Sequence, residues 1–117
     1  PKEVKAKIMR IATDSTPLEE PKDPEACRVF ALYKLFANAQ EQEEMRQNYL
    51  RGGYGYGHAK KALFEIYQRT LAPFRERREH LASHLDEVED ILRAGGQKAR
   101  AEARKTLEKA RAAVGLD

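Results

Sequence analysis

Between Leu63 and Leu81 apolar residues return at helical intervals. Leu63, Tyr67, Leu71, Phe74 and Leu81 mark one face of a long helix, and charged residues fill the positions between them. No Val/Ile/Thr-rich run alternating with period two competes with this pattern anywhere in the 117 residues. A chain of this length can bury one real core and is too short for an ordinary two-domain enzyme. The expectation is an all-α bundle of five or six helices, with residues 1–117 forming a single helical domain.

The other segments fit that frame. PKEVKAKIMRI reads as a short amphipathic helix with Val4, Ile8 and Ile11 spaced by four and three. TDSTPLEEPKD, with Pro17, Pro21, Asp14, Ser15 and Asp23, reads as a loop. Asp23-Pro24 then predicts an N-cap and first turn for a helix containing VFALYKLFA, apolar nearly all round and therefore suited to the middle of a bundle. Asn38 with Glu41 has the spacing of a capping box for a helix that presents Met45 and Tyr49 and stops at Gly52-Gly53. Pro73 falls inside the long helix and predicts a kink there. Ser83 predicts the cap of a further helix whose first turns hold Asp86, Glu87, Glu89 and Asp90, and Gly95-Gly96 predicts its end. A last helix would carry Ala99, Ala103, Leu107, Ala110 and Val114 on one face, small enough for close packing.

GGYGYGHAKK, from Gly52 to Lys61, tempts a phosphate-loop reading, but the spacing rejects it. After Gly52 and Gly57, His58 and Ala59 stand where a P-loop needs Lys and Ser/Thr. The dinucleotide template G-x-G-x-x-G fails as well, because His58 or Lys60 occupies the third glycine position and a helix, not a strand, comes before. The stretch is a helix stop, a tight turn and a helix start.

Other chemistry-bearing residues give bland readings. His80 and His84 lie at i, i+4, the separation of two helical metal ligands, but Leu81 stands where H-E-x-x-H has its Glu and no third ligand is nearby. They read as surface histidines. The acidic group at Asp86–Asp90 is explained by the helix dipole. Cys27, the sole cysteine, reads as a small buried side chain, allows no intrachain disulfide and points to a reducing, cytoplasmic setting. No apolar run is long enough for a membrane span. The chain opens on Pro1 within a helical pattern and reads as a piece of something longer.

Charge distribution says more than total charge. With 22 Lys+Arg against 19 Asp+Glu the net charge is only +3, yet residues 58–80 carry six basic and three acidic residues. Lys60, Lys61, Arg69, Arg75, Arg77 and Arg78 make this the candidate phosphate-binding stretch for RNA, with a solvated face balanced by Glu65, Glu76 and Glu79 as the alternative.

Taken together, several segments resemble the C-terminal helical region of bacterial tryptophanyl-tRNA synthetases, which are class I enzymes. KAKIMRIATDS resembles the family's segment after the KMSKS loop. Gly55-Tyr56-Gly57-His58-Ala59-Lys60-Lys61-Ala62-Leu63 resembles its G-Y-G-x-x-K-x-x-L turn into a helix. Pro73 with Glu76-Arg77, Gly95 with Lys98-Ala99, Thr106-Leu107 and the closing AVGL follow in the family's order. The resemblance covers essentially the whole chain. It implies the anticodon-binding domain of a tryptophan–tRNA ligase, with tRNA(Trp) as partner. It also implies that tryptophan, ATP and Mg²⁺ are bound on a catalytic domain carrying the HIGH and KMSKS signatures, neither of which is present here. The piece alone would then bind no cofactor or metal, make no adenylate and be monomeric, whereas the full enzyme would be a homodimer. The alternatives are the equivalent domain of the related tyrosyl enzyme, or a free-standing helical RNA-binding or interaction module.

Overall fold

The computed structural model describes residues 2–116, and among them the fold is all-α, with five helices and no strand. They are α1 (Lys2–Met9), α2 (Arg28–Tyr33), α3 (Ala39–Arg51), α4 (Tyr56–Ser83) and α5 (Leu85–Ala113). The chain divides into two compact units, residues 1–73 and 74–117, and the boundary falls inside α4 directly after Pro73.

The core of the first unit is built from helical spacings that are legible in the sequence. Met45 and Tyr49 come from α3, Ala59, Leu63 and Ile66 from α4, Val29, Phe30 and Tyr33 from α2, and Ile8 from α1. The Phe30 and Tyr49 rings meet with centroids 5.8 Å apart. Tyr49 keeps its buried hydroxyl satisfied through a 3.2 Å contact with Cys27 Sγ, so Cys27 is the small core residue expected of it. Burial pushes the Tyr49 phenol far above its ordinary pKa.

The buried line of α4 differs from the expected one. Ile66 replaces Tyr67 and Leu71 on it, and Phe74 is exposed. The second helix is also shorter than expected. Asp23 Oδ1 accepts from the Glu25 N–H at 2.9 Å and closes a local turn, and Cys27 is extended (φ −89°, ψ 118°), so α2 starts only at Arg28. Leu32 on α2 and Leu35 just beyond its end lie exposed, so the segment is one-sided instead of an all-round core helix.

The Asn38 capping box is present in full. Asn38 Oδ1 accepts from the Glu41 N–H and Glu41 Oε2 from the Asn38 N–H, both at 2.9 Å. At the other end of α3, Gly52 (φ 78°) and Gly53 (φ 73°) turn the chain into α4.

Across this turn lies a strap, residues 17–22. Its Leu18 carbonyl accepts from the Gly53 N–H at 2.9 Å, and its Lys22 N–H donates to the Tyr49 carbonyl at 2.8 Å. Lys22 is only 3% exposed. Its ammonium uses its donors on the carbonyls of Pro17 (3.0 Å), Leu18 (3.3 Å) and Glu20 (3.2 Å), and it sits 5.4 Å from the centre of the Tyr56 ring. A buried lysine is tolerable only with such partners.

In the second unit two expected boundaries are corrected. Ser83 does not cap α5, because its hydroxyl turns back to the carbonyls of Glu79 (3.1 Å) and His80 (2.9 Å) and the N-cap position is His84. Gly95-Gly96 does not end a helix either, because α5 runs straight through it. The end comes at Gly115 (φ 73°), where the Gly115 N–H donates to the Ala112 carbonyl at 3.2 Å and the Leu116 N–H to Arg111 at 2.8 Å, a Schellman closure. One helix suits the charges better than two, since a break at Gly95 would leave Lys98 and Arg100 at the positive end of a new dipole. The close packing expected of Ala99, Ala103, Leu107, Ala110 and Val114 is absent, because α5 has no buried residue.

Candidate nucleic-acid interface

The six cations singled out in the sequence all sit on α4, three in each unit. In the first unit Lys60 and Arg69 are nine residues apart, about half a turn round the helix at ~100° per residue, with Lys61 between them in angle. Clustering in sequence therefore does not produce one stripe. Lys60 Nζ donates to the Met9 carbonyl at 3.1 Å and so closes the open end of α1. Arg69 donates to Glu41 Oε1 at 2.6 Å, the same carboxylate that completes the capping box. The Asn38 backbone N–H and then Arg69 hold the Glu41 carboxyl below its usual pKa. Lys61 is the least committed of the three, 74% exposed and 4.0 Å from Glu65.

In the second unit Arg77 pairs with Glu87 at 2.8 Å, and His80 Nε2 lies 2.6 Å from the other oxygen of Glu87. The hydrogen bond from His80 and then the one from Arg77 lower the Glu87 pKa. Glu87 thus has a structural use beyond its place at the start of a helix. The His80 and His84 rings stack at 4.3 Å, and no group of three or more metal-ligating side chains occurs among the described residues. Arg75 is half-buried, while Arg78 is exposed and forms no salt bridge among the described residues.

The cations of α1 add to those of α4. Lys2, Lys5, Lys7 and the following Arg10 face only Glu3 in charge, and Lys5 Nζ stands 5.8 Å from the centre of the Phe64 ring on α4. The charge excess was readable, but its meeting with α4 needed the fold. Lys5 over the half-buried Phe64 ring joins cation to aromatic surface, the pairing that single-stranded nucleic acid exploits.

No protein-family model matches the chain. It is 47% identical to the tryptophan–tRNA ligase of Rhodopirellula baltica over 98% of its own length and 36% of the relative's. To the Fusobacterium nucleatum tryptophan–tRNA ligase it is 43% identical over 98% of its length and 35% of the relative's. A solved tryptophanyl-tRNA synthetase from Campylobacter jejuni, in complex with ADP and tryptophan, superposes with a TM-score of 0.81 at 38% identity, covering 98% of this chain and 36% of that one. The chain therefore spans little more than a third of these relatives, their C-terminal part. No helix among the described residues is long and apolar enough to cross a membrane.

Proposed function

We propose, since the chain is by homology the counterpart of the C-terminal part of tryptophan–tRNA ligases, that residues 1–117 serve as the helical domain that holds the anticodon end of tRNA(Trp) within such a ligase. The observation that carries this is the match over 98% of the chain at 47% identity to a ligase of that name. It favours tryptophan over the tyrosyl alternative and a synthetase piece over a free-standing module. Activation of tryptophan with ATP and Mg²⁺, and the homodimer, belong in this reading to the rest of a longer cytoplasmic ligase, because HIGH and KMSKS signatures are absent from these residues. The chain's own share is electrostatic holding of phosphates and stacking of unpaired bases.

Lys60, Lys61, Arg69, Arg75, Arg77 and Arg78 remain the proposed phosphate contacts, and the internal bonds rank them. Lys60, Arg69 and Arg77 already hold Met9, Glu41 and Glu87, so reversing them perturbs the fold as well as binding. Lys61→Glu and Arg78→Glu are the cleaner tests. Each is expected to weaken tRNA binding several-fold at low salt and to reduce the slope of log affinity against log salt by about one. Fluorescence titration across a salt series reads both quantities. Unchanged affinity and slope in both variants would remove Lys61 and Arg78 from the RNA interface.

A further inference from the structure

In the second unit the cations of α5 sort themselves by type. Residues 93–111 carry seven basic residues against two acidic ones, Glu102 and Glu108. At ~100° per residue, Arg93, Arg100, Arg104 and Arg111 all fall within an arc of about 40°, while Lys98, Lys105 and Lys109 share a second arc about 140° away. Every position of α5 from Glu89 to Ala113 is exposed. The two lines differ in how far their charges are used. Lys105 is held by Glu102 at 2.7 Å. Arg93, Arg100 and Arg104 form no hydrogen bond or salt bridge among the described residues, and Arg111 gives only its Nε, to the Leu116 carbonyl at 3.3 Å. Glu108, the nearer of the two carboxylates to the arginine line, forms no salt bridge among the described residues either. Gln97, Arg100, Ala101 and Arg104 line a shallow concavity of about 290 Å³, in which the short Ala101 leaves both guanidinium groups open to an anion.

The residue types and their spacing restrict the partner. Guanidinium forks suit phosphate, which they grip through two hydrogen bonds at once. The helix fixes the steps along the line at seven, four and seven residues, ~10.5, ~6 and ~10.5 Å, so it matches anions that are themselves held in a rigid array. A flexible single strand offers no such array and is captured by stacking on aromatic rings, and residues 85–117 contain no Phe, Tyr, Trp or His. A base-paired RNA stem does offer it, because its phosphates are fixed by the duplex and are bound without reading the bases. An anionic bilayer is the poorer match, since the apolar face of α5 has Gly95, Ala99, Ala103 and Ala110 where an interfacial helix needs bulky side chains.

We propose that the arginine line of α5, Arg93, Arg100, Arg104 and Arg111, docks on the phosphate backbone of a base-paired RNA stem without reading its sequence. The inference rests on the RNA-binding reading above and extends it from the α4 cations to a second element and from unpaired to paired RNA.

The test uses the whole chain and two fluorescein-labelled probes, a short blunt RNA duplex and a single-stranded RNA that cannot pair, each titrated by anisotropy across a salt series. Arg100→Gln with Arg104→Gln is expected to weaken duplex binding about tenfold at low salt and to reduce the slope of log affinity against log salt by about two, with the single strand changed less than about twofold. Lys98→Gln with Lys105→Gln removes the same charge from the other line and should change duplex binding less than about twofold. All four positions are exposed and glutamine is a good helix former, so helical circular dichroism should be unchanged in both variants. Equal losses in the arginine and lysine variants would reduce the effect to general charge attraction and overturn the proposal. So would an arginine variant that keeps its duplex affinity, and one that does so while losing binding to phosphatidylglycerol vesicles would assign the line to lipid. A wild-type chain that binds the single strand but not the duplex overturns this inference and leaves the α4 reading standing, whereas failure to bind either probe overturns both.

Discussion

Gly52→Ala is expected to destabilise the first unit by about 3 kcal/mol or more, whereas Gly53→Ala, one residue on, should cost only about 1 kcal/mol. Both glycines have positive φ, 78° and 73°. The difference lies in their surroundings and in ψ. Gly52 adds ψ 171°, a combination almost confined to glycine, and a Cβ there would come within 2.4 Å of the Glu19 carbonyl oxygen. That oxygen belongs to the strap backbone, so the contact cannot be relieved by rotating a side chain. At Gly53 nothing lies within 4 Å of an added Cβ, and only the backbone penalty remains. Urea unfolding of the two variants side by side gives the comparison. Equal costs would mean that the strap does not press on this turn.

Lys22→Met is expected to cost about 3 kcal/mol, a large effect for a residue in a loop. Methionine keeps most of the stem and removes the ammonium, which leaves the Pro17, Leu18 and Glu20 carbonyls without their shared donor. Water can reach part of this loss, which is why the figure stays below the sum of three charged hydrogen bonds. Lys22→Arg should restore little, because a planar guanidinium cannot point its donors at three carbonyls converging on one nitrogen. A change below about 0.5 kcal/mol for Lys22→Met would show that the strap is held by its backbone bonds to Tyr49 and Gly53 alone.

The features legible in the sequence were those decided within a turn or two of chain. The Asn38–Glu41 box, the stop at Gly52-Gly53 and the burial of Met45 and Tyr49 each follow from spacing on one element. The misreadings arose where a local signal had two physical uses. Asp23 offers its carboxylate to a turn as readily as to a helix start, and Ser83 bonds back to the turn before it. Gly95 and Gly96 lower helix propensity without supplying the left-handed residue that an ending needs, and the ending came at Gly115.

The candidate interface was partly legible for a similar reason. Its cations could be counted, but Glu41 and Glu87, distant in sequence, had already engaged Arg69 and Arg77. Asp14 and Tyr56, 42 positions apart, could not be paired from spacing at all. Nor could the burial of Lys22, an ordinary lysine in a proline-rich loop, be inferred without the carbonyls that surround it.

The enclosure of Lys22 also makes its amine a clock for the strap. Acylating reagents need an amine they can reach, and at 3% exposure, held by three carbonyls, this one is out of reach while the strap is shut. Its labelling rate therefore counts openings of the strap, and with a clamp of about 3 kcal/mol it should trail the rate at exposed Lys61 by roughly two orders of magnitude. Peptide mapping after brief acetylation would follow the opening of this one loop in an otherwise folded chain, without any substitution.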